Sequence, residues 1–122
     1  MIDSDFDEQK LYQKAKKSST IGTVAQMAPE FIKDKTTSKL TDVYAFGIVL
    51  WEIMTRQIAY YDKEEVQIMY GVAHQNLRPD ISEVKKEKDV KSLIQACWAE
   101  EASKRPGFKE VLEELLRIRK HK

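Results

Sequence analysis

Cysteine is almost missing from this 122-residue chain, and Cys97 stands alone. A single thiol cannot close an intrachain disulfide, which points to a reducing, intracellular setting. Glycine is scarce as well: Gly22, Gly47, Gly71 and Gly107 lie far apart, so no G-x-G-x-x-G phosphate cradle can be assembled from them. The two histidines, His74 and His121, have no partner at metal-ligand spacing, and no Ser/His/Asp arrangement can be argued. Long apolar runs are lacking. The longest, Val43 to Trp51, is too short to span a bilayer, and the polar stretch from Met1 to Lys10 holds no signal-peptide core. An excess of one charge is lacking too, because 21 basic residues meet 20 acidic ones. That balance predicts no non-specific attraction to nucleic acid or membrane. The expected location is cytoplasmic, with the nucleus open.

What is present reads as one domain with a modest core: 42% of residues are hydrophobic and 34% charged. Residues 1–20 lack periodicity and shift from acidic (Asp3, Asp5, Asp7, Glu8) to basic (Lys10, Lys14, Lys16, Lys17), which predicts a mobile surface region. Residues 21–122 read as helical. Pro29 pushes Ala28 out of helical geometry and can open a helical turn itself. Thr41 or Asp42 is the expected cap of a helix running to about Met54, apolar on all sides and therefore central to the core. Gly47 inside it costs about 1 kcal/mol relative to alanine, so close packing is its expected reason. Asp62 to Glu65 resembles a capping box for an amphipathic helix carrying Val66, Met69, Val72 and Ala73, with Asn76 as its stop. Val90, Leu93, Ile94, Cys97 and Trp98 form a second stripe, and there Cys97 reads as a core residue, not a reactive thiol. Phe108, Val111, Leu112, Leu115 and Ile118 form the last, ending in the basic run Arg117 to Lys122. No strand shows convincing alternation.

Several short features then occur in one order: Gly22-Thr23, Met27-Ala28-Pro29-Glu30, Asp42-Val43-Tyr44-Ala45-Phe46-Gly47 with Trp51-Glu52, Arg78-Pro79, Cys97-Trp98 and Arg105-Pro106. Each alone is weak. In this order, with an apolar helix after the second, the set resembles the C-terminal lobe of the eukaryotic protein kinase family, nearest its tyrosine-kinase-like serine/threonine branch. The resemblance covers about residues 18–118 and implies a mainly α fold: a helical C-lobe portion without the N-terminal β lobe. It also implies roles. Glu30 of Ala28-Pro29-Glu30 would pair with Arg105; the plain alternative is two surface charges that never meet. Asp42 would brace the catalytic loop of an intact kinase, and here it would act only as a helix cap. Gly22, Thr23, Val24 and Ala25 match the loop that receives the residue beside the phosphate acceptor, in the serine/threonine style. Ser18, Ser19 and Thr20 sit where activation-loop phosphorylation occurs; otherwise they are a solvated loop.

The resemblance also shows what this sequence does not carry: the strand lysine with its helix glutamate, the catalytic aspartate, and the magnesium aspartate of the intact family. Asp5-Phe6-Asp7 is similar to the Asp-Phe-Gly motif with its glycine replaced. A lone carboxylate cannot hold magnesium, so an acidic terminus is the better account of Asp5. Gln26 stands where relatives carry Trp or Tyr. Ala59 stands where a proline is common, which predicts a looser loop. The intact family uses ATP and Mg2+ to phosphorylate serine or threonine on proteins. This portion would supply a substrate platform and be inactive alone, its partners a protein substrate, a regulatory protein or the missing N-lobe. The alternative is a non-catalytic helical interaction module.

Overall fold

The computed structural model describes residues 24–85 and 88–120. Among the described residues the main α-helices are, in order, α1 (Pro29–Asp34), α2 (Lys39–Thr55), α3 (Glu65–His74), α4 (Lys88–Cys97) and α5 (Phe108–Lys120). Short 3-10 turns at Ile81–Glu83 and Ala102–Lys104 lead into α4 and α5. The described residues contain no strand, in keeping with the expected mainly α fold.

Helix α2 is the axis. It packs along α4 and against the Ala102–Lys104 turn, while α1 packs on α3 and α4 on α5. Val43, Tyr44, Ile48, Leu50 and Trp51 of α2 meet Ile68 and Val72 of α3, Val90, Leu93 and Ile94 of α4, and Val111 and Ile118 of α5 in one core. The α2–α4 crossing is close because Gly47 lacks a side chain. A Cβ there would lie 2.8 Å from Cys97 Cβ and 3.5 Å from Ile94 O. Cys97 is fully buried, which pushes its thiol up to about 11.

The boundaries correct several expectations. Neither Thr41 nor Asp42 caps α2. Ser38 does, in extended backbone, with its hydroxyl accepting from Leu40 N and Thr41 N at 3.1 and 3.3 Å. A hydroxyl one turn upstream reaches the free N–H groups, whereas Asp42 already lies inside the helix and is exposed. α2 is also not buried on all sides, since Ile53 is 64% exposed. The capping box of α3 is formed by Glu64 and Gln67, two residues beyond Asp62, with Glu64 N donating to Gln67 Oε1 at 2.9 Å. α3 buries Ile68, Gly71, Val72 and Ala73 and leaves Val66 exposed. It ends at His74, and Asn76 takes a left-handed turn (φ 53°) that lets Leu77 N donate to Gly71 O at 2.9 Å. α4 ends at Cys97, one residue before Trp98. α5 buries Val111 and Ile118, while Phe108, Leu112 and Leu116 stay exposed.

The loop with Ala59 is tied, not loose. Ala59 is fully buried, and its N–H donates to Glu52 Oε2 at 2.9 Å. A proline, having no N–H, could not make that bond.

Candidate functional site

The site begins at Ala28. Its extended backbone (φ −72°, ψ 156°) is the geometry a following proline imposes, and Pro29 then starts α1 where a missing N–H costs nothing. Glu30 thereby sits in the first helical turn. From the far end of the chain, Arg105 leaves the Ala102–Lys104 turn in extended backbone and reaches it. The contact is two-pronged: Arg105 Nη1 donates to Glu30 Oε2 at 2.9 Å and Nη2 to Glu30 Oε1 at 3.0 Å. The remaining guanidinium donors go to the carbonyls of Leu40, Ala99 and Glu100, so all of its N–H groups have acceptors. Thr41 adds a hydroxyl bond to Glu30 Oε2 at 2.8 Å. The Arg105 side chain has no exposed surface and that of Glu30 is 20% exposed. Burial works to raise the Glu30 carboxyl, but hydrogen bonds from Arg105, its own backbone and Thr41, with the charge of Arg105, outweigh it and hold the group below its usual range.

Tyr44 supports this clamp from α2. Two guanidinium groups, those of Arg105 and Arg78, each lie 5.1 Å from the centre of its ring. Arg78 is engaged inward, donating to Trp98 O at 2.8 Å, Leu77 O at 2.7 Å and Glu100 at 3.3 Å. Glu100 also pairs with Lys33 of α1 at 3.5 Å. The Tyr44 hydroxyl is buried and has no hydrogen-bond partner among the described residues. Burial pushes it up to about 12 against the lowering pull of both arginines.

Beside the clamp lies a shallow groove of about 240 Å³ lined by Gln26, Ala28, Phe31, Thr41 and Asp42. Val24 and Ala25, just before it, are buried in a helical turn, with Met27 N donating to Val24 O at 3.1 Å. The structure therefore brings together Ala28, Pro29, Glu30, Arg105 and Asp42, and places Gly47 apart, at the α4 crossing. Gly22, Thr23, the region of residues 1–20, Asp5, Ser18, Ser19 and Thr20 lie outside the described residues.

Sequence reasoning missed Thr41 as the second donor to Glu30, and Tyr44 and Arg78 as supports of Arg105. Arg78-Pro79 was visible as a motif, but nothing in the chain order says that it meets Tyr44. Among the described residues there is no group of three or more His, Cys, Asp or Glu side chains that could hold a metal ion. No helix among them is long and apolar enough to cross a membrane.

A sequence model described as protein tyrosine and serine/threonine kinase matches residues 2–115. The chain belongs to the protein kinase family. Among curated relatives, it is 37% identical over 115 residues to mitogen-activated protein kinase kinase kinase 10 of Xenopus laevis, covering 94% of this chain and 11% of that protein. It is 37% identical over 110 residues to mitogen-activated protein kinase kinase kinase 12 of Rattus norvegicus, covering 89% of this chain and 12% of the relative. With the serine/threonine/tyrosine-protein kinase HT1 of Arabidopsis thaliana it shares 40% identity over 92 residues, 75% of this chain and 23% of the relative. This kinase chain thus spans between 11% and 23% of the length of these relatives.

Proposed function

We propose that this chain forms the substrate-side platform of a serine/threonine kinase domain whose intact form phosphorylates proteins, and that the chain alone transfers no phosphate. The observation that supports this most is the two-pronged clamp between Glu30 and Arg105. It fixes α1, and with it the Val24–Ala25 turn and the Asp42 groove, to the turn before α5. A surface that must present a protein segment to chemistry done elsewhere needs such fixing, because misplacement of about 1 Å can cost on the order of a hundredfold in rate. The Gly22 to Ala25 segment, in the serine/threonine style, would receive the residue beside the acceptor hydroxyl.

Two assays test this. The purified chain, given labelled ATP, magnesium and a general protein substrate, should show no turnover above a mock preparation; turnover that survives stringent purification overturns the inactivity. A chimera in which this chain replaces the matching segment of the Xenopus relative should phosphorylate protein and lose most of that activity on Glu30→Ala. A folded chimera without activity overturns the platform reading.

A second reading has its own observation. Phe108, Leu112 and Leu116 recur at i, i+4 and i+8 on α5 and are all exposed. A contiguous apolar stripe of this kind marks a surface that something covers. In an interaction module a partner protein would cover it; in a kinase domain, the rest of the domain would.

A further inference from the structure

The exposed segment from Lys35 to Ser38 joins α1 to α2. It carries Thr36, Thr37 and Ser38 in a row, and the fold treats their hydroxyls differently. Thr36 is tied back to the end of α1. Its Oγ1 donates to Asp34 Oδ1 at 2.6 Å, and its N–H donates to the same oxygen at 3.2 Å. Ser38 is taken up as the cap of α2, accepting from Leu40 N and Thr41 N. Thr37 is left over. Its hydroxyl has no hydrogen-bond partner among the described residues, and it lines the groove beside the clamp.

The flanks of Thr37 are basic on both sides. Lys35 stands two positions before it and Lys39 two positions after. Neither lysine is in an ion pair among the described residues. Lys35 Nζ lies 4.9 Å from the centre of the Phe31 ring, and Phe31 lines the same groove as Thr37. Lys39 is exposed at the start of α2. The third lysine nearby, Lys33, is already paired with Glu100 at 3.5 Å. Of the two carboxylates in this region, Asp34 is engaged by Thr36, and Asp42 lines the groove.

We propose that Thr37 is phosphorylated by a base-directed protein kinase, and that the phosphate pins the loop through Lys35 and Lys39. Kinases choose substrates partly by the charges beside the acceptor, and here lysine stands on either side. Modifying Thr36 or Ser38 would first break an internal hydrogen bond; modifying Thr37 breaks none. In the transfer, Thr37 Oγ1 attacks the γ-phosphorus of ATP. The new Oγ1–P bond forms as the bond from that phosphorus to the β,γ-bridging oxygen breaks. ADP leaves with the electron pair, and the hydroxyl proton passes to the base of the modifying enzyme. The phosphate brings a charge of about −1.5 to −2 and three acceptor oxygens, which two unpaired ammonium groups can meet. The groove, whose ionisable lining residue among the described residues is Asp42, turns from weakly to strongly negative. The proposal does not rest on the platform reading, since neither the acceptor nor its lysines belong to the clamp.

The test uses the whole chain, a broadly base-directed kinase, magnesium and labelled ATP, with the label mapped by fragment mass spectrometry. Among the loop hydroxyls, Thr37 should carry at least about tenfold more label than Thr36 or Ser38. A free peptide of residues 31–42, which lacks the internal bonds, should be labelled more evenly. Lys35→Gln and Lys39→Gln should each slow labelling of Thr37 about fivefold or more, without shifting the melting temperature. Amide exchange from Thr36 to Lys39 should slow about fivefold after labelling at about 50 mM salt, and by less at about 300 mM. No label at Thr37, or a spread over the loop hydroxyls matching that of the peptide, overturns the site. Labelling that ignores both lysine substitutions overturns its base-directed character, and unchanged exchange overturns the pinning of the loop.

Discussion

At the scale of single residues, the pairing of Glu30 with Arg105 dominates. Arg105 is fully buried as a side chain and every one of its donors is used, so removing the carboxylate strands a charge where water cannot reach it. Glu30→Ala should cost about 3–5 kcal/mol in urea unfolding. The pH dependence has a definite sign. The Glu30 carboxyl is held below its ordinary value of 4.5 in the folded state, so its contribution is complete above that value and is lost as pH falls through the lower, folded one. The urea midpoint of the wild type should therefore fall more steeply than that of Glu30→Gln as pH drops below 4.5. Parallel curves for the two proteins would show that this carboxylate is not the group that titrates. The pair was legible because Ala28-Pro29-Glu30 and Arg105-Pro106 are both motifs. The approach of two arginines to the Tyr44 ring was not legible, because a tyrosine in an apolar run carries no mark of what will meet it.

At the scale of elements, the apolar run of α2 and the apolar stripes of α3, α4 and α5 located those helices, and errors gathered at the ends. Asp42 looks like a cap because it is acidic and precedes an apolar run. Ser38 wins because it lies one turn earlier, in extended backbone, within reach of two free N–H groups. Apolar spacing also cannot say which side of a helix is covered, which is why Val66, Leu112 and Ile53 are exposed against expectation. The loop after α2 departs from expectation for a different reason: the lack of a proline ring does not by itself make a loop loose. In fact the Ala59 N–H and the Glu52 carboxylate supply the stiffness that a ring would otherwise give. Ala59→Pro should accordingly lower stability by about 1–3 kcal/mol, because it deletes the donor and leaves a partly buried carboxylate short of a partner. Calorimetry checks this, and a rise in melting temperature would mean that the bond contributes little.

At the scale of the molecule, the described helices share one core, yet they leave Phe108, Leu112 and Leu116 open on one flank and Val66 with Tyr70 on another. Apolar surface of that extent promotes self-association. Replacing Leu112 and Leu116 together with glutamine should reduce the sedimentation coefficient of concentrated samples and the binding of a hydrophobic dye, with little change in unfolding midpoint. A large loss of stability would instead show that these leucines support the core.

Glu30 and Arg105 stand 75 positions apart in the chain. Bringing two such distant points together costs roughly 4 kcal/mol of chain entropy, growing only slowly with the length between them. The ion pair alone cannot meet that cost, so the intervening helices must condense first and deliver the two charges to one another. The clamp is therefore expected to form late on the folding route, after the transition state. Its removal should leave the folding rate nearly untouched and speed the unfolding rate. Its role is that of a latch, setting how long the folded state lasts once it has formed.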